Sequence, residues 1–171
     1  MAGLGHAVGA ACGLRYAELV RQRLIDPLGL ETMSVPASAA ELRSSAVEGR
    51  GPFGRPRQPW AGEAVAPAGG IRASIRDMSR LTAAMLDGSA PGIGALEPVP
   101  QTAGRPIRIG AAWLTVRHRG QTITWHNGGT GGFRSFMGFD RAAHAGVVVL
   151  SAATASVDRA GFTLLQQFAG N

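Results

Sequence analysis

The sequence has 171 residues, of which 45% are hydrophobic, and this is enough for one domain with a buried core. The net charge is +6, and all 17 basic residues are arginines scattered along the chain. The sequence therefore lacks the basic stripe with interleaved aromatic residues that nucleic-acid binding requires. No apolar run is long enough to span a membrane, and a single cysteine, Cys12, excludes an internal disulfide and a multi-cysteine metal site.

The start of the sequence predicts two helices. Residues 4–13 are small and apolar, which predicts a buried helix with Cys12 as a core residue and does not suggest a signal peptide. Apolar residues recur at steps of three and four over 16–25, which predicts an amphipathic helix. Pro27 and Gly29 are expected to end this helix, because proline cannot continue it and glycine turns the chain.

The middle of the sequence predicts two irregular stretches around one clear helix. Residues 31–60 contain four prolines and predict a long loop, and residues 89–106 predict a second linker rich in proline and glycine. Between them, an amphipathic pattern over 75–86 predicts a helix. Ser74 is its expected N-cap, with Asp77 at the position where a capping box usually has glutamate.

From residue 107 onward the apolar pattern changes to that of strands. Residues 109–118 and 121–125 predict one hairpin, and 133–140 with 146–151 predict a second pair. The last of these strands has an uninterrupted apolar run, which indicates a central strand covered on both faces. A final helix is predicted over 157–168. Its packing side is predicted to carry Val157, Ala160, Leu164, Leu165 and Phe168.

The order of these elements predicts the organisation of the domain. Helices and long loops occupy 1–106, and antiparallel strands with a C-terminal helix occupy 107–171. Helices followed by an antiparallel sheet and a packing helix indicate an α/β layered fold.

The segment that most clearly suggests a binding or catalytic site is the run His-Asn-Gly-Gly-Thr-Gly-Gly-Phe at 126–133. Its four glycines are expected at the junction of two strands, where the backbone can approach a ligand closely. Backbone N–H groups there could stabilise an oxyanion, and the His126 imidazole can exchange a proton near neutral pH. A glycine-rich hairpin with an exposed histidine is the alternative interpretation. Arg134, just beyond, could bind a substrate carboxylate or be a solvated strand residue.

Several motifs, taken in order and spacing, resemble the second half of the penicillin-recognising serine hydrolases, the family of class C β-lactamases, DD-peptidases and esterases. The motifs are the segments 16–20, 26–32, 67–71 with Ser74 and Asp77, 110–113, 126–133 and 147–151. Together they cover nearly the whole chain. The resemblance implies a β-lactamase/transpeptidase-like three-layer sandwich with an antiparallel sheet, represented by its C-terminal part only.

In that family three elements build the site: Ser-x-x-Lys with the nucleophile, Tyr-x-Asn with a proton relay, and Lys-Thr-Gly or His-x-Gly on a strand beside the cleft. The resemblance places only the third element here, on His126, Asn127 and Gly128. By the same comparison the backbone N–H of Gly129 would form half of the oxyanion hole. The sequence has no lysine, and the place of Tyr-x-Asn is occupied by residues 1–3.

The resemblance therefore implies a serine hydrolase that transfers an acyl group to water but is inactive by itself. Its substrate would be a β-lactam, a D-alanyl cell-wall peptide or a small ester, and its partner a missing N-terminal half. It implies no metal and no organic cofactor. Two alternatives remain open: a non-catalytic binding module, and an arginine-rich interaction protein that uses residues 50–57 on an acidic partner.

Overall fold

The computed structural model of the chain describes residues 2–98 and 107–169, and it shows a sheet with helices on both faces. This arrangement confirms the predicted α/β layered fold. The helices are α1 (Ala2–Ala11), α2 (Tyr16–Val20), α3 (Asp26–Leu28), α4 (Ala66–Gly69), α5 (Ile75–Leu86) and α6 (Asp158–Ala169). No helix within these residues is long and apolar enough to cross a membrane.

The five strands form one antiparallel sheet in which each strand pairs with the next along the chain. They are β1 (Ile107–Ile109), β2 (Leu114–His118), β3 (Gln121–Thr130), β4 (Phe133–Asp140) and β5 (Ala145–Ser151). The prediction of one strand over 109–118 was wrong, because a tight turn separates β1 from β2. In that turn the Gly110 N–H donates to the Trp113 carbonyl, and Ala112 has a φ of 67°.

One face of the sheet packs against α6 through aromatic side chains. The fully buried Phe136 of β4 contacts the rings of Trp125 and Phe162 at centroid distances of 5.8 and 5.1 Å. Gly161 lets the helix approach, since a side chain there would collide with the Phe136 ring.

This close approach decides which side of α6 is buried. Leu165 is fully buried, as predicted, but Ala160, Leu164 and Phe168 of the predicted packing side are exposed, Phe168 by 66%. That prediction was therefore partly wrong. The Phe136 ring fits only against Gly161, so the side of α6 that contains this glycine faces the sheet and most of the predicted apolar side does not.

The opposite face of the sheet packs against α5 and the segment that precedes it. Met137 and Phe139 of β4 join Leu81 of α5 and Leu30 and Met33 in one buried cluster. β5 is covered on both faces, as its apolar run predicts, because α5 and α6 both pack on it. It is nevertheless the outermost strand among the described residues, not a central one.

The N-terminal helix differs from its prediction. In α1 only Gly9 is buried, whereas Leu4 and Val8 are 64% and 45% exposed. Cys12, expected in the core, is exposed as well. The helix packs on α4 at Gly5, whose missing side chain makes room for Pro67, and leaves its remaining apolar side open to solvent.

The second helix continues further than expected. It passes from α2 through a π-helical turn at Arg21–Ile25 into α3, and ends at Gly29 with a left-handed φ of 60°. The glycine stop was predicted correctly, but Pro27 is inside the last turn. Pro27 directly follows the π-helical turn, at the point where the helical backbone changes to α3.

Candidate active site

The glycine-rich segment lies inside a strand and forms an open edge of the sheet. β2 pairs with β3 only as far as Trp125, and among the described residues 2–98 and 107–169 the stretch from His126 to Thr130 pairs with β4 alone. Gly128 and Gly129 are therefore strand residues, and the expectation that all four glycines form a junction was wrong. Only Gly131 and Gly132 make the turn to β4.

An open strand edge offers unpaired backbone groups that can bind a ligand. Alternate residues of an antiparallel strand direct their N–H and C=O groups toward the same side, so half of these groups from His126 to Thr130 point away from β4. Such groups can bind an extended peptide or stabilise an oxygen that gains negative charge. Gly128 and Gly129 leave this edge accessible, because neither has a side chain.

His126 lies at the start of this edge, on the α5 face of the sheet. Its exposed imidazole meets the Trp113 ring edge-on at a centroid distance of 6.4 Å and an interplanar angle of 81°. Trp113 in turn packs on the buried Phe139 at 5.5 Å. The two aromatic rings support one side of the imidazole and leave the other side available to a ligand.

Ser135 is a neighbour of His126 that was not predicted. It pairs with Gly128 across the strands, and a side chain at Gly128 would lie 2.8 Å from the Ser135 Oγ. The hydroxyl therefore lies over the glycine on the same face as the imidazole. The cross-strand register would have indicated this contact, but only if β3 had been predicted to continue through the glycines.

Asn127, Gly129 and Arg134 lie on the opposite, α6 face. Asn127 donates its side-chain amide to the Asp158 carboxylate at 2.8 Å, at the first residue of α6. Arg134 donates its Nε to the Thr154 carbonyl at 3.2 Å, and its guanidinium lies across Gly129. The five predicted site residues thus occupy one short segment of two paired strands but divide between two faces, because side chains alternate along a strand.

At its Thr130 end, the open edge is bordered by α4 and Trp60. A side chain at Gly69 in α4 would lie 2.7 Å from the Thr130 Cγ2 and 3.7 Å from the Trp60 ring, so these elements are in close contact. Arg72 donates to the Trp60 carbonyl at 3.4 Å and stacks on the Phe133 ring at 4.8 Å. Burial lowers the pKa of the Arg72 guanidinium.

The position of α5 depends on a buried carboxylate. Asp77 accepts hydrogen bonds from the Thr32 N–H at 2.7 Å, the Thr32 hydroxyl at 2.6 Å and the Met33 N–H at 2.8 Å. Its own N–H donates to the Ser74 hydroxyl, which confirms the predicted N-cap. Burial acts to raise the pKa of Asp77, but these hydrogen bonds outweigh it and the pKa is lowered.

Neither described part of the chain, 2–98 or 107–169, contains a group of three or more histidine, cysteine, aspartate or glutamate side chains arranged for a metal ion. The groups at the open edge itself are a histidine, a hydroxyl and exposed backbone groups of the strand.

The fold is that of the β-lactamases and penicillin-binding proteins. A D-alanine carboxypeptidase AmpC from Burkholderia cenocepacia superposes with a TM-score of 0.83 at 19% identity. A beta-lactamase/D-alanine carboxypeptidase from Pseudomonas syringae gives 0.82 at 17%, and an octameric penicillin-binding protein homologue from Pyrococcus abyssi gives 0.82 at 18%.

The beta-lactamase family model matches residues 1–169, and the chain belongs to this family. The three structures cover 98–99% of this chain, but the chain spans only 58%, 57% and 41% of their respective lengths. No curated protein sequence matches the chain.

Proposed function

We propose that the chain is the C-terminal part of a serine hydrolase of the β-lactamase family and that it supplies one wall of an acyl-transfer site. The observation that carries this proposal is the open edge of β3 from His126 to Thr130. It brings a histidine, small residues and free backbone groups together at one border of the sheet.

In this proposal each residue has a defined role. His126 exchanges a proton with the reacting group, and the backbone N–H of Gly129 stabilises the oxyanion of the tetrahedral intermediate. Gly128 contacts the substrate on the His126 face, whereas Asn127 and Arg134 contact it from the other side of the open edge. Their anchors, Asp158 and Thr154, would hold both side chains in place for this contact.

The nucleophile and its base come from outside these 171 residues. A serine hydroxyl is a weak nucleophile unless a base is adjacent, and the chain has no lysine for that purpose. Residues 1–3 take the place of the tyrosine relay. The remaining half, as a preceding segment or a separate chain, therefore completes the site, and the substrate is a small acyl compound such as a β-lactam, an ester or a D-alanyl cell-wall peptide.

The test is hydrolysis of a chromogenic β-lactam and a short-chain nitrophenyl ester. We expect the purified chain to give no turnover above the buffer rate. Where the DNA upstream of the Met1 codon encodes Ser-x-x-Lys and Tyr-x-Asn, adding that polypeptide is expected to restore turnover. His126→Ala should then lower the restored rate by about 100-fold or more.

Turnover by the isolated chain that His126→Ala abolishes would contradict the proposal, because a nucleophile would then be present among these residues. Arg117→Gln, an exposed change on β2, is the matched control and should leave every rate unchanged.

A further inference from the structure

A basic hairpin with an aromatic tip projects beside the end of the sheet. Residues 50–57, here called the arginine hairpin, fold back on themselves through a bridge between Arg50 and Pro56. The Gly51 N–H donates to the Arg55 carbonyl at 2.7 Å, which closes the turn. We propose that this hairpin binds the surface of a membrane that contains anionic phospholipid.

The base of the hairpin is fixed to the sheet. The Arg50 N–H lies within hydrogen-bonding distance of the Gly132 and Ala152 carbonyls, at 3.2 and 3.0 Å, and these residues belong to the turn after β3 and the end of β5. Gly49 is buried against Phe133, and a side chain there would meet the Phe133 ring at 2.5 Å. The hairpin is therefore held in one orientation before any partner arrives, which reduces the entropy cost of binding.

The tip presents an aromatic ring to solvent. Phe53 is 98% exposed, although it is among the most apolar of side chains. Its backbone has a φ of 59°, in the left-handed region that suits glycine or asparagine and costs free energy for an aromatic residue. The exposure of the ring is explained if it enters an apolar medium when the hairpin binds.

The hairpin that carries this ring also carries three arginines, Arg50, Arg55 and Arg57. Arg50 donates to the Gly54 carbonyl at 3.0 Å, and the Arg57 side chain folds back over Gly51. Glu48 pairs with Arg50 at 3.5 Å, whereas Arg55 and Arg57 have no carboxylate partner within the described parts of the chain. Two unpaired guanidinium groups thus remain available to anionic groups.

One exposed ring together with unpaired arginines on the same hairpin favours a lipid surface over a nucleic acid. One convex aromatic tip can enter the boundary between headgroups and acyl chains while the arginines reach the phosphates. A single-stranded nucleic acid would instead need a groove with several stacking rings along it.

The experiment measures binding of the 171-residue chain to vesicles made of equal parts phosphatidylcholine and phosphatidylglycerol. Pure phosphatidylcholine vesicles and a single-stranded oligonucleotide are run beside them. We expect binding to the anionic vesicles only. Phe53→Asn should weaken it about tenfold, since the ring is lost while asparagine keeps the left-handed backbone.

Neutralising the two free arginines together, with Arg55→Gln and Arg57→Gln, should weaken vesicle binding roughly 25-fold at about a fivefold loss for each charge. Arg108→Gln with Arg117→Gln is the matched control, because it removes the same charge from the exposed surface of β1 and β2 and should change binding little. Equal losses from both pairs, equal binding to neutral vesicles, or binding to the oligonucleotide alone would overturn the proposal. These outcomes are independent of hydrolysis and of the proposed acyl-transfer site.

Discussion

The two helices at opposite ends of the chain differ in whether one of their sides is buried. α6 places Gly161 and Leu165 against the sheet and buries both, whereas α1 buries only Gly9 and leaves Leu4 and Val8 open to solvent. The sheet and α6 therefore form a core from the residues of this chain. The α1 side has apolar surface but no cover among the residues described, which agrees with the proposed supply of a remaining half.

The largest change in the free energy of unfolding is expected from the core between α6 and the sheet. Phe136→Ala removes a fully buried ring that contacts Trp125 and Phe162, and it should lower the free energy of unfolding by about 3–5 kcal/mol. Phe168→Ala in α6 is the matched control, with an expected change within about 0.5 kcal/mol because that ring is exposed. Urea denaturation measures both. Similar losses for the two variants would refute the assignment of the packing face.

The next effect concerns the carboxylate that holds α5 in place. Asp77→Asn replaces an acceptor of several hydrogen bonds and should cost about 1–3 kcal/mol at neutral pH.

The effect of Asp77 also has a definite pH dependence. Since the folded-state pKa of Asp77 is below the ordinary value of 3.8, its contribution is complete above that value and is lost as pH falls through the folded-state pKa. Thermal unfolding between pH 7 and 2 checks this. The variant should lose less stability than the parent on acidification, and parallel curves would show that Asp77 does not carry the effect.

The last comparison is between two helical glycines, and it includes the smallest expected effect. Gly161→Ala should destabilise by about 1–3 kcal/mol, because the new methyl group would collide with the Phe136 ring. Gly3→Ala in α1 meets nothing within 4 Å and should stabilise by about 0.5–1 kcal/mol, since alanine is the better helix former. Midpoints of urea unfolding measure both changes. The two changes in the free energy of unfolding are expected to have opposite signs. Changes of the same sign would contradict the distinction between the covered helix α6 and the open helix α1.

Much of the fold follows from local sequence patterns. Ser74 as the N-cap of α5, the glycine stop of the second helix and the apolar run of β5 were all visible, because each depends on neighbouring residues. The packing side of α6 was not, since it depends on the Phe136 ring, which is distant in sequence and fits only at Gly161. The π-helical turn at Arg21–Ile25 had no signal in the sequence.

The site was predictable in its location but not in its geometry. The composition of residues 126–132 predicts a functional segment, but its glycines indicate a turn and hide the strand periodicity. With β3 extended to Thr130, alternation alone would have separated His126 from Asn127. The contact with Trp113 depends on the turn between β1 and β2, and no periodic pattern reports it.

The most direct test of the central claim is the intact mass of the purified chain after incubation with a β-lactam. A serine hydrolase of this kind would hold the opened β-lactam as an acyl ester on its nucleophile. The account predicts an unchanged mass, because these residues provide a wall of the site and not its nucleophile. A stoichiometric mass increase equal to one β-lactam, located by peptide mapping on any serine of this chain, would contradict it.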